Sequence, residues 1–579
     1  MFFDKRPKDN SVFEYSKLKI DECYVNISAH LQEIQNKIFL YALNKNCHGC
    51  PLKRIQEFKP GESKIQVFST QYPWDLRFRF DGSSMYLSKL DEDPFKICDR
   101  DNIIFNEFGE YNLALTEESP DGCIEFEEII TPKNSYSPLY LYIILILLGT
   151  PLYFIGLRFF NMIKKKLKGK EASNNDSKNE DNVVRSRKKR VVSLDVFRGL
   201  TIALMIFVND GGGHYYFMEH STWNGLYVAD LAFPWFMWIM GFCIPISLMS
   251  LNKRKIGLMQ TLKDITRRSV VLFFLGLFWG NAGWIDLDKI RIPGVLQRFG
   301  ICYFIVGSSL AFLFRYFSLK DEGGKIRDIS NLWPRWIFAL LLMVLHTLII
   351  FLFPVPGCPT GYLGPGGLNL FNVTRANCIG GATGYIDRLI FTVSHIYSNP
   401  TAKHVYESNA FDPEGFLGTL TSAFQVFLGA QGGFIILSFK NESKTQILFR
   451  LLAWGLMFVV FGGTLCGFTL NDGWIPINKN LWSLSYVFIT TGLAFILLSI
   501  LYFIVDMMNI WNGGPFIYGG MNSILLYLGH STAWNMLPFH FVIGTMNSHF
   551  ARLTEALWGV SLWLFIAYIL HKKSIYITV

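Results

Sequence analysis

The stretch 206-IFVNDGGGHYYFMEHSTWNGLYVADLAFPWFMWIMG-241 sets three glycines, two histidines and several amide and carboxylate side chains between two apolar runs. Neutral imidazole is well suited to take a proton from an amine near neutral or mildly acidic pH, so His214 and His220 are the acid–base candidates. His214 lies beside Tyr215 and Tyr216 and also fits an aromatic belt at a membrane interface. His220 has Ser221, Thr222, Trp223 and Asn224 next to it to orient it, and Trp223 and Asn224 are candidate acceptor-binding groups. A glycine costs a helix up to about 1 kcal/mol relative to alanine, so the helix is predicted to break at 211–213. The freed N–H groups, with the Asn209 amide, would then face a developing oxyanion. Asp230 lies about a turn into the following apolar run, where an unpaired carboxylate is costly. It is expected either to face His220 or to pack as a helix partner.

Other ionisable groups stand at or inside apolar runs. In 193-SLDVFRG-199, Asp195 and Arg198 are three apart and share a helical face. They read either as a structural ion pair or as a cytosolic mouth where forked guanidinium donors meet the phosphates of a donor molecule. The segment 291-RIPGVLQRFG-300 places Arg291, Gln297 and Arg298 at and within another run, 478-NKNLWSLSY-486 opens a further one, and 521-MNSILLYLGH-530 carries Asn522 and His530. Polar groups in several apolar runs point to a bundle that encloses a wet site.

These groups must be positioned by membrane helices. Of the 579 residues, 51% are apolar and 17% charged, and the charges gather in islands, the distribution of a membrane protein. About eleven candidate spans lie near 138–162, 194–212, 226–250, 266–284, 293–315, 334–354, 415–438, 446–470, 482–506, 515–534 and 553–571. The expected class is a mainly α-helical polytopic membrane protein with a small β-rich amino-terminal domain. The domain covers 1–136, where 65-IQVFST-70 and 75-DLRFRF-80 alternate as strands do. It holds Cys23, Cys47, Cys50, Cys98 and Cys123, an odd number. The Cys47-His48-Gly49-Cys50 pair reads as part of a disulfide framework rather than half a zinc site, because no second CxxC follows. A first span at 137–163 leads into a basic linker at 164–190, which contains 164-KKKLKGK-170 and 185-RSRKKR-190. Wedged between spans, that linker marks the cytosolic side and not a nucleic-acid patch. The bundle then occupies 191–579 with a long loop at about 355–414. This topology places the amino-terminal domain and that loop outside the cytosol, with the glycosylation triplets at Asn26 and Asn372, and puts the carboxyl terminus and Asn441 inside. Residues 1–10 read without the apolar core of a secretory signal. Translocation is therefore expected to rest on the first span or on residues preceding this start.

Taken together, 193-SLDVFRGL-200, 208-VNDGGGHYYFMEHSTWNGLYVADLAFPWFMWIMG-241, 291-RIPGVLQR-298, 412-DPEGFLGTL-420, 476-PINKNLWSLSY-486 and 515-PFIYGGMNSILLYLGH-530 closely resemble the heparan-α-glucosaminide N-acetyltransferase family of lysosomal transmembrane acetyltransferases. The resemblance is strong over about 190–571. It implies transfer of acetyl groups from cytosolic acetyl-CoA to the terminal non-reducing glucosamine of heparan sulfate in the lysosome. It implies no metal, and it implies a homodimer. The family's catalytic histidine matches His220 in 219-EHSTWNG-225, and Asn209 matches a partner eleven residues earlier. Asp210 and His214 depart from the family's pattern, being more ionisable than expected there. The remaining assignments are Arg198, Asp195 and Arg298 for acetyl-CoA, and Trp223, Asn224, Asp230 and His530 for the acceptor.

Two other classes fit part of this text. A transporter for a sugar or sugar acid also has polar spans and broken helices, although the halves of the chain do not repeat and the polar groups cluster at one bend. A glycan-binding receptor would leave the ionisable groups deep in the spans unexplained.

Overall fold

The computed structural model describes residues 15–29, 37–80, 82, 84–87, 96–115, 124–130, 134–171, 191–282, 286–316, 327–330, 333–368, 375–533, 541–542 and 544–577. Most of the basic linker, the Asn372 triplet and Cys123 lie outside the described residues.

The amino-terminal domain has nine strands: β1 Glu22–Ala29, β2 Ile38–Asn44, β3 Leu52–Phe58, β4 Ser63–Ser69, β5 Trp74–Arg79, β6 Tyr86–Leu87, β7 Lys96–Ile103, β8 Glu110–Leu115 and β9 Ile124–Ile130. They form two sheets, ordered β4-β1-β8-β9 and β6-β3-β2-β5-β7. Alternate residues of β1 (Cys23, Val25, Ile27) and of β2 (Leu40, Ala42) meet Leu76, Phe78 and Leu113 in one core, the consequence of period-2 patterning on two facing sheets. Cys47 and Cys50 form a disulfide, Cys98 is disulfide-bonded, and Cys23 is the buried thiol left over. In the long loop Cys358 pairs with Cys378.

The helices are α1 Ser137–Glu171, α2 Val192–Asn209, α3 Ala229–Lys253, α4 Leu258–Gly280, α5 Val295–Tyr316, α6 Arg327–Ser330, α7 Trp333–Leu352, α8 Ala382–Phe391, α9 Lys403–Tyr406, α10 Gly418–Ser438, α11 Lys444–Leu465, α12 Leu484–Leu501, α13 Phe516–Met521, α14 Ser523–Thr532 and α15 His549–Lys572. Among the described residues eight of them are long and apolar enough to cross a membrane, those beginning at 192, 229, 295, 333, 418, 444, 484 and 549. The sequence suggested about eleven; of the other three windows, the first is covered by the single helix α1, and charge or a break interrupts the remaining two. The first half of α4 carries Lys263, Asp264, Arg267 and Arg268, and the window at 515–534 is divided at Asn522 into α13 and α14.

Small residues set how closely the bundle packs. The helix α10 is buried along most of its length and lies against α3, where a Cβ on Gly429 would strike the Trp238 carbonyl and one on Gly241 the Val426 carbonyl. Likewise Gly199 and Gly520 let α2 and α13 touch backbone to backbone. Small residues are what permit such contact between membrane helices, where lipid gives apolar side chains no preference for each other. Asp506 accepts the Val192 and Ser193 N–H groups at 3.2 and 3.0 Å and so caps α2.

Candidate active site

The helix α2 ends at Asn209, and Gly211, Gly212, Gly213 and His214 follow with φ of 90, 53, 78 and 62°. Four successive left-handed residues turn the chain sharply, a path open to glycine and costly for others. The break predicted from the glycines is present. Of the N–H groups around it, those of Asp210, Gly211 and His214 return to the carbonyls of Ile206, Val208 and Gly211. Asn209 is exposed at the helix end.

Beyond the bend, the chain brings His220 back against the first turn of α3. Asp230 is fully buried and His220 is 40% exposed, with Nδ1 at 2.8 Å from Asp230 Oδ1. The other carboxylate oxygen accepts the Ser221 and Tyr227 N–H groups at 3.2 and 3.0 Å. A carboxylate only accepts, so Nδ1 carries the proton and Nε2 is left with its lone pair. Tyr486 donates to the Asp230 backbone carbonyl at 2.6 Å, tying α12 to the same turn. Asp230 is therefore the partner that orients His220.

The loop 466–483 closes the other side. Asn224 donates to Asn471 and accepts from Asn478, both at 3.0 Å, and Gly225 N–H reaches the Ile477 carbonyl at 2.8 Å. This places the Lys479 Nζ at 3.0 Å from Nδ1 and 3.2 Å from Nε2 of His220, and 3.9 Å from Asp230. A nitrogen so near both ring nitrogens lies over the ring's face, since in the plane it would collide with Cε1. Burial first and the Lys479 charge second push the His220 imidazole below its ordinary value, against the upward pull of Asp230. Burial likewise lowers Lys479. The residue carried no assignment in the sequence reading. The signal was a lysine between two asparagines, which at the start of a span looks like an ordinary flanking charge.

Two other motifs quoted from the sequence meet beside this site. Arg291 makes a forked pair with Asp412 at 2.8 and 2.7 Å and reaches Glu414 at 2.6 Å. Arg298 is buried, donates to the Gly415 carbonyl at 2.7 Å and stacks over Trp482 at 5.0 Å. It lies at the β-domain end of the bundle and not beside Arg198. The Arg198 guanidinium meets the Gly520 carbonyl and Cys243 Sγ, both at 3.3 Å, and Asp195 at 3.6 Å. Cys243 follows Asp230 by thirteen residues on α3, which at 1.5 Å per residue separates the two ends by about 20 Å. Trp223 is 1% exposed, donates to the Leu363 carbonyl at 2.9 Å and packs with Cys47, Cys50 and Phe411, joining the β domain to the long loop. His530 pairs with Asp210 at 3.5 Å, both nearly buried, which gives the unexpected Asp210 a partner in α14. The structure thus brings together His220, Asp230, Asn224 and Arg298 at one end, sets His530 against Asp210 at the C-terminal end of α2, and holds Arg198 and Asp195 at the other end of α2.

Metal ligation has one geometric candidate among the described residues, Asp21, Glu107 and His549, whose ligand atoms lie within 4.8 Å of one another. His549 Nδ1 donates to the Gly213 carbonyl at 2.8 Å, while Nε2 faces Asp21 at 3.1 Å. A protonated imidazole satisfies both contacts.

A helical bundle with a histidine–carboxylate pair at one end defines a multi-pass membrane protein equipped for proton transfer. No protein-family model matches the chain. It is 44% identical over 397 residues to the human heparan-alpha-glucosaminide N-acetyltransferase, a match that covers 67% of this chain and 59% of that protein. To the mouse heparan-alpha-glucosaminide N-acetyltransferase it is 36% identical over 599 aligned positions, covering 97% of this chain and 89% of that one. The chain belongs to the heparan-alpha-glucosaminide N-acetyltransferase family, and its class of enzyme is the acyltransferases.

Proposed function

We propose that this protein moves the acetyl group of acetyl-CoA to the terminal non-reducing α-glucosamine of heparan sulfate, in the lysosomal membrane, with its β domain lumenal and its carboxyl terminus cytosolic. The observation that carries the reading is the Asp230–His220 pair. Asp230 fixes the proton on Nδ1 and so leaves Nε2 to receive one. A protonated amine is no nucleophile, and an acidic lumen keeps glucosamine protonated, so the acceptor needs a base.

Acetyl-CoA does not cross a bilayer. The donor is held from the cytosolic side, where Arg198 lines the packed junction of α2, α3 and α13, and the acetyl group travels toward the β-domain end. Two routes use the same residues. In direct transfer the amine nitrogen attacks the thioester carbon, its proton passes to Nε2, the C–S bond breaks, and the sulfur recovers that proton. In the covalent route Nε2 attacks the thioester carbon, the C–S bond breaks and CoA leaves as thiolate; the neutral amine then attacks the acetyl carbon, the Nε2–C bond breaks with its electrons returning to Nε2, and the amine proton passes to that nitrogen. The protein works as a homodimer, an expectation that rests on the family alone.

The test is to incubate membranes bearing the protein with labelled acetyl-CoA and glucosamine. N-acetylglucosamine carrying the label supports the enzyme. Uptake of glucosamine without acetylation would replace it with a sugar transporter.

A further inference from the structure

We propose that Lys479 is a catalytic residue: its ammonium, held over the face of the His220 ring, takes up the negative charge that develops on the acetyl carbonyl oxygen. The inference rests on the acetyl-transfer reading above.

Position is the first argument. An acyl carbon within reach of Nε2 has its oxygen close to a group that is itself 3.2 Å from Nε2. The chain fixes that group firmly. The Asn478 side chain is clamped between Asn224 and the Leu481 N–H at 2.8 Å, and the Lys479 carbonyl accepts from Trp482 N–H at 3.0 Å.

The second argument is cost. The Lys479 side chain is 13% exposed, and its nearest carboxylate, Asp230, stands at 3.9 Å, beyond hydrogen-bond range. An ammonium placed this way is expensive for a fold to keep and is typical of groups retained for chemistry.

The third is vacancy of the role. Asn209 is exposed at the helix end, the N–H groups of Asp210 and Gly211 return to α2 carbonyls, and that of His214 reaches the Gly211 carbonyl. Lys479, by contrast, is held directly against the His220 ring.

Electrons and protons balance without Lys479 changing state. As the nitrogen–carbon bond forms, the carbonyl π pair moves onto oxygen and Lys479 turns one of its three N–H bonds toward it. When the pair falls back, the C–S bond breaks and sulfur leaves with the electrons. The amine proton held by His220 passes to sulfur. The same positive charge keeps the ring neutral enough to act as a base in acid, a second effect of one side chain.

The experiment compares wild type, His220→Ala, Lys479→Met and Lys479→Arg in membranes with labelled acetyl-CoA and glucosamine, measured against pH. Lys479→Met should lower kcat by about 10²–10³-fold, as loss of an oxyanion donor does, with KM for acetyl-CoA within about threefold. Its acid limb should move to higher pH, because the charge that depresses His220 is gone. Lys479→Arg should keep the wild-type acid limb and retain more of kcat than Lys479→Met. If wild type transfers acetyl groups and Lys479→Met keeps more than a third of kcat, or loses kcat with its acid limb in place, the proposal is overturned while the acetyl-transfer reading stands. Should Lys479→Met not be recovered folded, a Lys479→Arg protein with a shifted acid limb overturns it as well. No transfer by wild type would overturn the acetyl-transfer reading itself.

Discussion

Asp230→Asn exchanges one carboxylate oxygen for an NH₂ group and should disable the site without unfolding it. In the wild type, Asp230 Oδ2 accepts two backbone N–H groups, from Ser221 and Tyr227, while Oδ1 accepts from His220 Nδ1. The asparagine has one oxygen for these two places. Turned with its NH₂ toward the backbone donors, it would lose two hydrogen bonds worth about 0.5–1.5 kcal/mol each. Turned with its oxygen toward them, it presents NH₂ to Nδ1. The second arrangement is preferred by about 1–3 kcal/mol on that count, and it forces Nδ1 to accept and moves the ring proton to Nε2. A histidine protonated at Nε2 cannot take a proton there. The expected fall in kcat is about 10²–10⁴-fold, the range for loss of a general base and for a carboxylate-to-amide change that imposes the wrong tautomer. The assay is acetyl transfer from labelled acetyl-CoA to glucosamine in membranes, with activity normalised to the amount of protein and the profile taken from pH 4.5 to 8. Raising the pH should not restore activity, because the fault is a tautomer and not a charge. Retention of more than a tenth of the wild-type kcat in a correctly sorted protein would refute this reasoning.

Arg198→Ala should raise KM for acetyl-CoA and leave KM for glucosamine near its wild-type value. A protein retained in the endoplasmic reticulum would instead show that the Arg198 contacts to Gly520 and Cys243 hold α2, α3 and α13 together. Burial raises the Asp387 carboxyl to about 7; its folded value thus exceeds the unfolded one, and the stability it confers is present in acid and lost as pH rises toward 7. Thermal unfolding should therefore shift to lower temperature between pH 5 and 8, and Asp387→Asn should flatten that dependence. Glycosidase mapping should find no sugar on Asn441. Sugar at Asn26 requires its amide to release Asn112, which it meets at 3.1 Å, and sugar on Asn441 would invert the topology.

Much of the architecture was written in local pattern. Alternation gave β4 and β5, the three glycines marked the end of α2, and the lone CxxC read as disulfide rather than zinc, though not that Cys47 and Cys50 pair with each other. The span count was less secure, because hydropathy averages over a window. The window at 515–534 hides the break at Asn522, and the charged half of α4 sits within helical length of an apolar half. In the site, His220 and Asp230 are ten residues apart with a bend between them, near enough for a pairing to be suspected. Lys479 lies 259 residues from His220, and no periodicity connects them. The contacts of Asn224 with Asn471 and Asn478, and of Gly225 with Ile477, show why these two loops meet. Arg298 was grouped with Arg198 by charge alone. The direction of α5 puts it instead at the β-domain end, stacked on Trp482. Trp223 and His530 were singled out for chemistry because of their types; the fold sets the first between the β domain and the long loop and the second beside Asp210.

The most direct test of His220 as the reacting group is acetyl transfer by His220→Ala, beside His214→Ala as a control for the bend, in protein that is expressed, glycosylated and sorted as wild type. Loss of a base typically costs about 10²–10⁴ in rate. His220→Ala should therefore retain at most about 1% of wild-type turnover with acetyl-CoA binding unchanged, and His214→Ala should stay close to wild type. If His220→Ala keeps at least about half of wild-type activity, the histidine does not carry the chemistry, and the bend at 211–213 is a polar turn between two helices.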